Sequence, residues 1–344
     1  MRILYIGQLW SGGTCAARLH TLSQLGMPAI SFDVTPYLRM GTGIEQSLQS
    51  RLKAGRGIRA LNRSLEARAS EGDFDVVWVD KGVQLYPATL EILKAAARKR
   101  FAVHYTPDAQ ILDNRSRHFD TCIPIYDLVV TTKPFEVEAY RQLGAREVEL
   151  VLQGYGRQFV PRLNGSVPDS RLHSDVCFIG HCQRHYAGRL RAASQTTSGL
   201  KVWGPRWPRY ARWNGWARLI VQGEGLWDKC YPEALRSTKI ALGLLSKFIP
   251  ETTTTRTFEI PACGTFMLAE RTDEHLSLFD EGKEAEYFES DEELCDKIRF
   301  YLANDNTREA IAQAGRERCL KSGYNDQHQL RRVLERVAKL IASV

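Results

Sequence analysis

At 344 residues the chain is too long for one ordinary hydrophobic core and suits two domains of about 150 residues each. Apolar residues make up 43% and charged residues 25%, which excludes a disordered protein, and no apolar run approaches the roughly 20 residues that span a bilayer. The net charge of +7 is concentrated between Val176 and Gly223, where Arg184, Arg189, Arg191, Lys201, Arg206, Arg209, Arg212 and Arg218 meet no Asp or Glu, so an anionic partner is expected at that stretch.

In chain order, "MRILYIG" reads as a short strand rather than a signal peptide, and the expected location is the cytoplasm. Runs at 3–7, 29–33, 75–80, 101–106, 127–132 and 148–152 are apolar, β-branched and of strand length. Helical stretches at 45–70, 88–99 and 134–143 lie between them. Such alternation favours right-handed crossovers and a parallel, Rossmann-like sheet covered on both faces. The polar stretch 154–175, rich in Gly, Pro and Ser, reads as a linker. Strands are expected again at 175–180, 200–204, 240–245, 265–269 and 286–288, and helices near 184–195, 231–237, 252–263, 291–303 and 307–321. In the last stretch, 326–343, Leu330, Val333, Leu334, Val337, Leu340 and Ile341, with Val344 beyond, share one helical face. The expected organisation is an α/β protein with an N-terminal domain over 1–158, a linker at 159–174 and a second Rossmann-like domain over 175–325. The helix over 326–344 is expected to pack back on the first domain. Two such sheets joined by a linker would face a cleft, with ligands at the carboxyl ends of their strands. Eight cysteines (Cys15, Cys122, Cys177, Cys182, Cys230, Cys263, Cys295 and Cys319) show neither a CxxC pair nor a metal-ligand spacing and read as reduced thiols, so no metal site is expected.

The stretch "PETTTTRTFEIPACG" would follow the strand at 240–245. Its threonines, Thr254 and Thr255 among them, would open a helix whose first backbone N–H groups lack partners and can receive a phosphate. Arg256, one turn in, adds a charged contact. Glu259, one turn further, could accept hydrogen bonds from a ribose diol. Gly264 would end the helix. The same residues also suit plain helix capping and dipole complementation, and spacing alone leaves both readings open.

The run from "TTTTRTFEIPACG" through "LFDEGKEAEYF", "DEEL" and "NDNTREAIAQAGRERC" resembles the C-terminal domain of GT-B glycosyltransferases of group 1, most closely the CgeB-like, spore-maturation-like family. "VCFIGHCQRHYAGRL" and "LKVWGPRW" resemble the strands that open that domain. The resemblance spans roughly 175–325, and it implies the GT-B fold and transfer of a sugar from a nucleotide donor held mainly by the second domain. Glu259 matches the family's second glutamate, on ribose or sugar hydroxyls, and Glu251, eight residues earlier, falls where the paired glutamate of retaining members stands. The text between them departs from those members, which carry a Gly-rich helix entry there. Gly180, Arg184 and Gly204 join Thr254, Thr255, Arg256 and Glu259 on the donor side. Retention of anomeric configuration, with Glu251 catalytic, is the expectation carried furthest, and neither metal nor other cofactor is expected.

The N-terminal domain would supply the acceptor side. Gly12 and Gly13 in "GQLWSGGTCAARL" leave the first strand without side chains, as an ordinary βα turn would also do. His104, Tyr105 and Asp108 in "VHYTPDAQ" end the fourth strand. Asp108 reads equally as a general base or as a strand stop and helix cap, and His104, a catalytic candidate by position, also reads as a structural histidine. "KVWGPRWPRYARWNGWARL" holds four of the seven tryptophans among arginines. Trp203 and Trp207 read as core, whereas Trp213, Trp216, Arg209 and Arg212 read as an exposed acceptor surface for an anionic glycan or lipid-linked sugar, with peripheral membrane contact and without nucleic acid. Two other readings remain: a sugar-nucleotide epimerase of the same architecture, and a non-catalytic module binding sugar nucleotides or nucleic acid.

Overall fold

The computed structural model describes residues 1–10, 12–160 and 169–343. Half of the expected linker, residues 161–168, and Val344 lie outside the described residues. The chain divides into two compact units, Met1–Leu152 with Asp326–Val344, and Gln153–Asn325.

The first unit runs β1 (Ile3–Gly7), α1 (Thr14–Gln24), β2 (Ala29–Asp33), α2 (Thr35–Leu38), α3 (Gly43–Leu52), α4 (Arg56–Ala69), β3 (Val76–Asp80), α5 (Pro87–Ala96), β4 (Phe101–Thr106), α6 (Gln110–Asp113), α7 (Arg117–Cys122), β5 (Leu128–Thr131), α8 (Val137–Gln142) and β6 (Val148–Leu150). Its strands form a parallel sheet in the order β2-β1-β3-β4-β5-β6. Successive strand residues point to opposite faces and both faces are apolar. Ile3, Tyr5, Val76 and Trp78 enter one core, and Leu4, Ile6, Val77 and Val79 the other.

The second unit runs β7 (Ser174–Ile179), α9 (Arg184–Ala193), β8 (Leu200–Trp203), α10 (Trp207–Trp213), α11 (Gly215–Ile220), β9 (Val221–Gly223), α12 (Cys230–Arg236), β10 (Thr238–Gly243), α13 (Arg256–Ala262), β11 (Phe266–Glu270), α14 (Asp273–Leu278), β12 (Glu286–Phe288), α15 (Asp291–Ala303) and α16 (Asp305–Lys321). This sheet is also parallel, in the order β12-β11-β10-β7-β8-β9, the doubly wound arrangement of a dinucleotide fold. The last helix, α17 (Asp326–Ala342), belongs to the first unit. Its Leu330, Val333 and Val337 are buried in the core on the Ile3 and Tyr5 face of the first sheet.

Two expectations are corrected. The helix read over 45–70 is two helices, because Lys53 and Gly55 take left-handed and extended positive φ (50° and 140°) and the Gln49 amide caps the next helix by accepting from Gly57 N at 2.6 Å. The helix read over 252–263 begins only at Arg256. Thr252 donates to Glu274, Thr272 Oγ1 donates to the Thr252 carbonyl at 2.9 Å, and Thr254 N donates to Thr257 Oγ1 at 3.1 Å, so these threonines are spent on a pinned, non-helical segment. The aromatic and basic stretch after β8 folds into α10, α11 and β9. Trp207 with Ala211, and Ala217 with Ile220, supply the inward face at helical spacing.

Candidate functional site

In the second sheet the strand order reverses between β7 and β10, and the loops leaving their carboxyl ends run apart there. Arg256, the first residue of α13, occupies that point. Its Nη2 donates to the Leu244 carbonyl at 2.8 Å and its Nη1 to that of Ile179 at 3.4 Å, while the guanidinium lies 5.2 Å from the centre of the Phe178 ring. The Nε is buried with no hydrogen-bond partner among the described residues.

The close approach depends on two glycines. A Cβ on Gly180 would stand 3.0 Å from Arg256 Nη1, and one on Gly204, at φ +148°, would stand 1.9 Å from the Gly180 carbonyl oxygen. That oxygen already accepts from Trp207 Nε1 at 2.8 Å. Gly180, Gly204 and Arg256, which the sequence suggested separately, are thus brought together.

Glu259 lies in the first turn of α13, in the macrodipole's favourable half, and is almost fully buried. Its Oε2 accepts from Tyr231 Oη of α12 at 2.7 Å. Burial pushes its carboxyl up, opposed by hydrogen bonds from Tyr231 and Thr255 and by the charge of Arg256. Thr254 Oγ1 is buried at the helix entry without a hydrogen-bond partner among the described residues. Glu251 sits in the loop after β10, where its Oε2 accepts from Ser246 N at 3.0 Å and closes that loop on itself. Arg184 is exposed at the first residue of α9.

Sequence reasoning missed a neighbouring cluster. Glu270, at the carboxyl end of β11, is buried and accepts from Lys247 at 2.5 Å on one oxygen, while His185 Nε2 meets the other at 2.7 Å. Lys247 follows β10 in the very loop that the threonines drew attention to, and His185 opens α9. No local pattern marks their meeting, because they come from three different crossovers.

In the first unit, Asp108 leaves β4 paired with Lys81 Nζ at 2.6 Å. Both line a cavity of about 120 Å³ with Gln8, Asp80, Gly82 and Asn114. Asp80, at the end of β3, is buried. Its Oδ2 accepts from Tyr5 Oη and pairs with buried Arg18 at 3.1 Å, while its Oδ1 has no partner among the described residues. Gly12 turns at φ +81°, and a Cβ on Gly13 would stand 3.0 Å from the Trp10 ring and carbonyl.

Three candidates are relocated. Tyr105 lies under the Arg18 guanidinium, 4.1 Å from it, and beside Trp78, so its ring is core rather than acceptor surface. His104 points into the opposite core among Phe119, Tyr126 and Tyr140, with neither ring nitrogen hydrogen bonded among the described residues, and burial pushes its imidazole down to about 3. A catalytic role does not fit that position. Trp216 packs edge-on against Tyr210, whereas Trp213 is 85% exposed.

Residues 184–335 match the family model described as glycosyl transferase-like. No curated protein matches the sequence significantly. Solved structures align over nearly the full length. A glycosyltransferase from Rickettsia africae is 15% identical, with a TM-score of 0.69 and 99% of this chain and 98% of that one covered. Sucrose-phosphate synthase from Thermosynechococcus elongatus is 14% identical, with a TM-score of 0.69 and both chains covered completely. The Anabaena protein HepE, in complex with UDP and glucose, is 14% identical, with a TM-score of 0.65 and coverage of 98% and 100%. At such identities the likeness is one of architecture: the fold is GT-B, two Rossmann-like domains in one chain.

Proposed function

We propose that this chain is a glycosyltransferase that takes its sugar from a UDP-type donor bound at the carboxyl ends of β7 and β10. One observation carries the reading: Arg256, fixed by two strand-end carbonyls at the switch point, heads the helix that also bears Glu259. The donor's diphosphate would meet the Arg256 guanidinium and the first amides of α13, and Glu259 would accept from the ribose diol. In the reaction the bond from the anomeric carbon to the diphosphate breaks, the acceptor oxygen bonds to that carbon, and the acceptor's proton passes to an oxygen of the leaving diphosphate. The developing charge on the leaving diphosphate is met by Arg256 and Lys247 without a metal in this reading.

The UDP preference is supported by the HepE complex at similar architecture. Retention rests on the resemblance, in which Glu251 falls where the paired glutamate of retaining members stands. The acceptor is read as an anionic glycan or a lipid-linked sugar, because the donor's two charges already have partners, whereas Arg209, Arg212 and Arg218 form no ion pair with a carboxylate among the described residues. Calorimetric titration of UDP into the parent, Arg256→Ala and Glu259→Ala tests the site. Each variant should bind roughly tenfold to a hundredfold more weakly, as losing a charged hydrogen bond does. Unchanged affinity in both would refute the assignment, and proton NMR of the new linkage decides retention against inversion.

A further inference from the structure

The helical pair α10–α11 is buried on its inner side, and the arginines of its outer side form no ion pair among the described residues. Trp207, Ala211, Ala217 and Ile220 are buried. Arg218 Nε donates to the Ala211 carbonyl at 3.1 Å and its Nη2 to that of Arg212 at 2.5 Å, and Asn214 Nδ2 donates to the Tyr210 carbonyl at 2.8 Å. These bonds close the pair and bring the Arg218 guanidinium onto the Arg212 carbonyl, and Trp213 and Leu219 follow those two arginines in the sequence. Trp213 is 85% exposed and Leu219 83%. Arg209 precedes Trp213 by one helical turn. Neither Arg206, Arg209, Arg212 nor Arg218 forms an ion pair with a carboxylate among the described residues, although Arg189 of the same basic stretch pairs with Asp291 at 2.6 Å.

We infer that this helical pair docks on the surface of an anionic phospholipid bilayer. A merely solvated basic face gives no reason to hold a tryptophan and a leucine of one helical pair in water. An acidic glycan would engage the arginines and stack on Trp213 but leave Leu219 exposed, and a nucleic acid would call for a series of open rings where the pair offers one. A lipid interface accommodates all of them: the indole among head groups, the leucine at the acyl boundary and the guanidinium groups on phosphates. The inference shares its arginines with the acceptor reading but none of its residues with the donor site, so it and the donor assignment fail separately.

The test is co-sedimentation of the full chain with vesicles of phosphatidylcholine, with and without phosphatidylglycerol, at low and at physiological salt. The parent should bind only the anionic vesicles, less tightly as salt rises. Arg209→Ala with Arg212→Ala should weaken binding about twenty-five-fold, at about fivefold per arginine, and flatten the salt dependence. Leu219→Ser should weaken binding while leaving the salt slope intact. Circular dichroism and thermal melting read the fold of each variant, since these side chains pack against nothing inside. Binding by the double variant equal to the parent's would overturn the inference. So would a parent that ignores anionic vesicles, whether or not it binds an acidic polysaccharide.

Discussion

Tyr231 and Glu259 form a pair whose chemistry follows from burial. A carboxylate in that environment resists ionisation, and the phenol's hydrogen bond opposes the resistance. Tyr231→Phe removes the opposition, so the Glu259 carboxyl should take up its proton at higher pH. A protonated carboxyl no longer attracts two hydroxyl donors as strongly, and UDP affinity should fall away at a higher pH in Tyr231→Phe than in the parent. Titrations of UDP across the acidic range check this, and superimposable profiles would mean that Tyr231 only packs. His104 gives a second residue-level expectation, on stability. Its imidazole is pushed down to about 3 by burial, so below the ordinary value near 6.5 the unfolded chain binds a proton that the folded chain refuses. The stabilisation is complete above that value and is lost as pH falls toward the folded one, by about 2 kcal/mol near pH 5. Urea unfolding of the parent should show that slope, and His104→Leu should flatten it.

The loop from β10 to α13 shows how an element is shaped by its neighbours. Threonines favour an N-cap, yet here they hydrogen bond to α14 and to one another, and the helix starts only where Arg256 can reach the ends of β7 and β10. The crossing of β7 and β8 is equally constrained. Gly204→Ala would drive a Cβ into the Gly180 carbonyl at a φ that side chains avoid. It should cost about 3 kcal/mol or more, read by urea unfolding, and should weaken UDP binding with it because Gly180 borders Arg256. Unaltered stability would show that the two loops can separate freely.

For the whole molecule, α17 closes the first unit from the far end of the sequence. Leu330, Val333 and Val337 are buried against the first sheet, and burying three such side chains contributes about 5–9 kcal/mol, comparable to the stability of an entire domain. A chain ending at Asn325 should therefore lose the first unit to limited proteolysis. Gln153–Asn325, which carries Arg256, Glu259, Tyr231, Gly180 and Gly204, should survive the digestion and retain UDP binding. Equal protection of both units would show that α17 is dispensable.

The sequence by itself determined the elements whose signal is local. Runs such as "ILYIG", "VVWVD" and "IALG" are β-branched and buried on both faces, so strand length and polarity identify them. The seven-residue spacing of Leu330 and Val337 marks α17, and Gly264 ends α13 at φ +76° as its position implied. Of the donor-side candidates, Arg256 and Glu259 were legible because one short helix carries both. Tertiary structure alone decided the rest. Asp80 meets Arg18, and Glu270 meets His185 and Lys247, only because parallel crossovers return distant segments to the same sheet end. Tyr105 and His104 are adjacent on β4, yet fall into opposite cores because a strand alternates its faces, and which face is open depends on helices elsewhere in the chain. Local periodicity is written along the chain, whereas a site is a meeting of segments, and its geometry exists only once the sheet has ordered its strands.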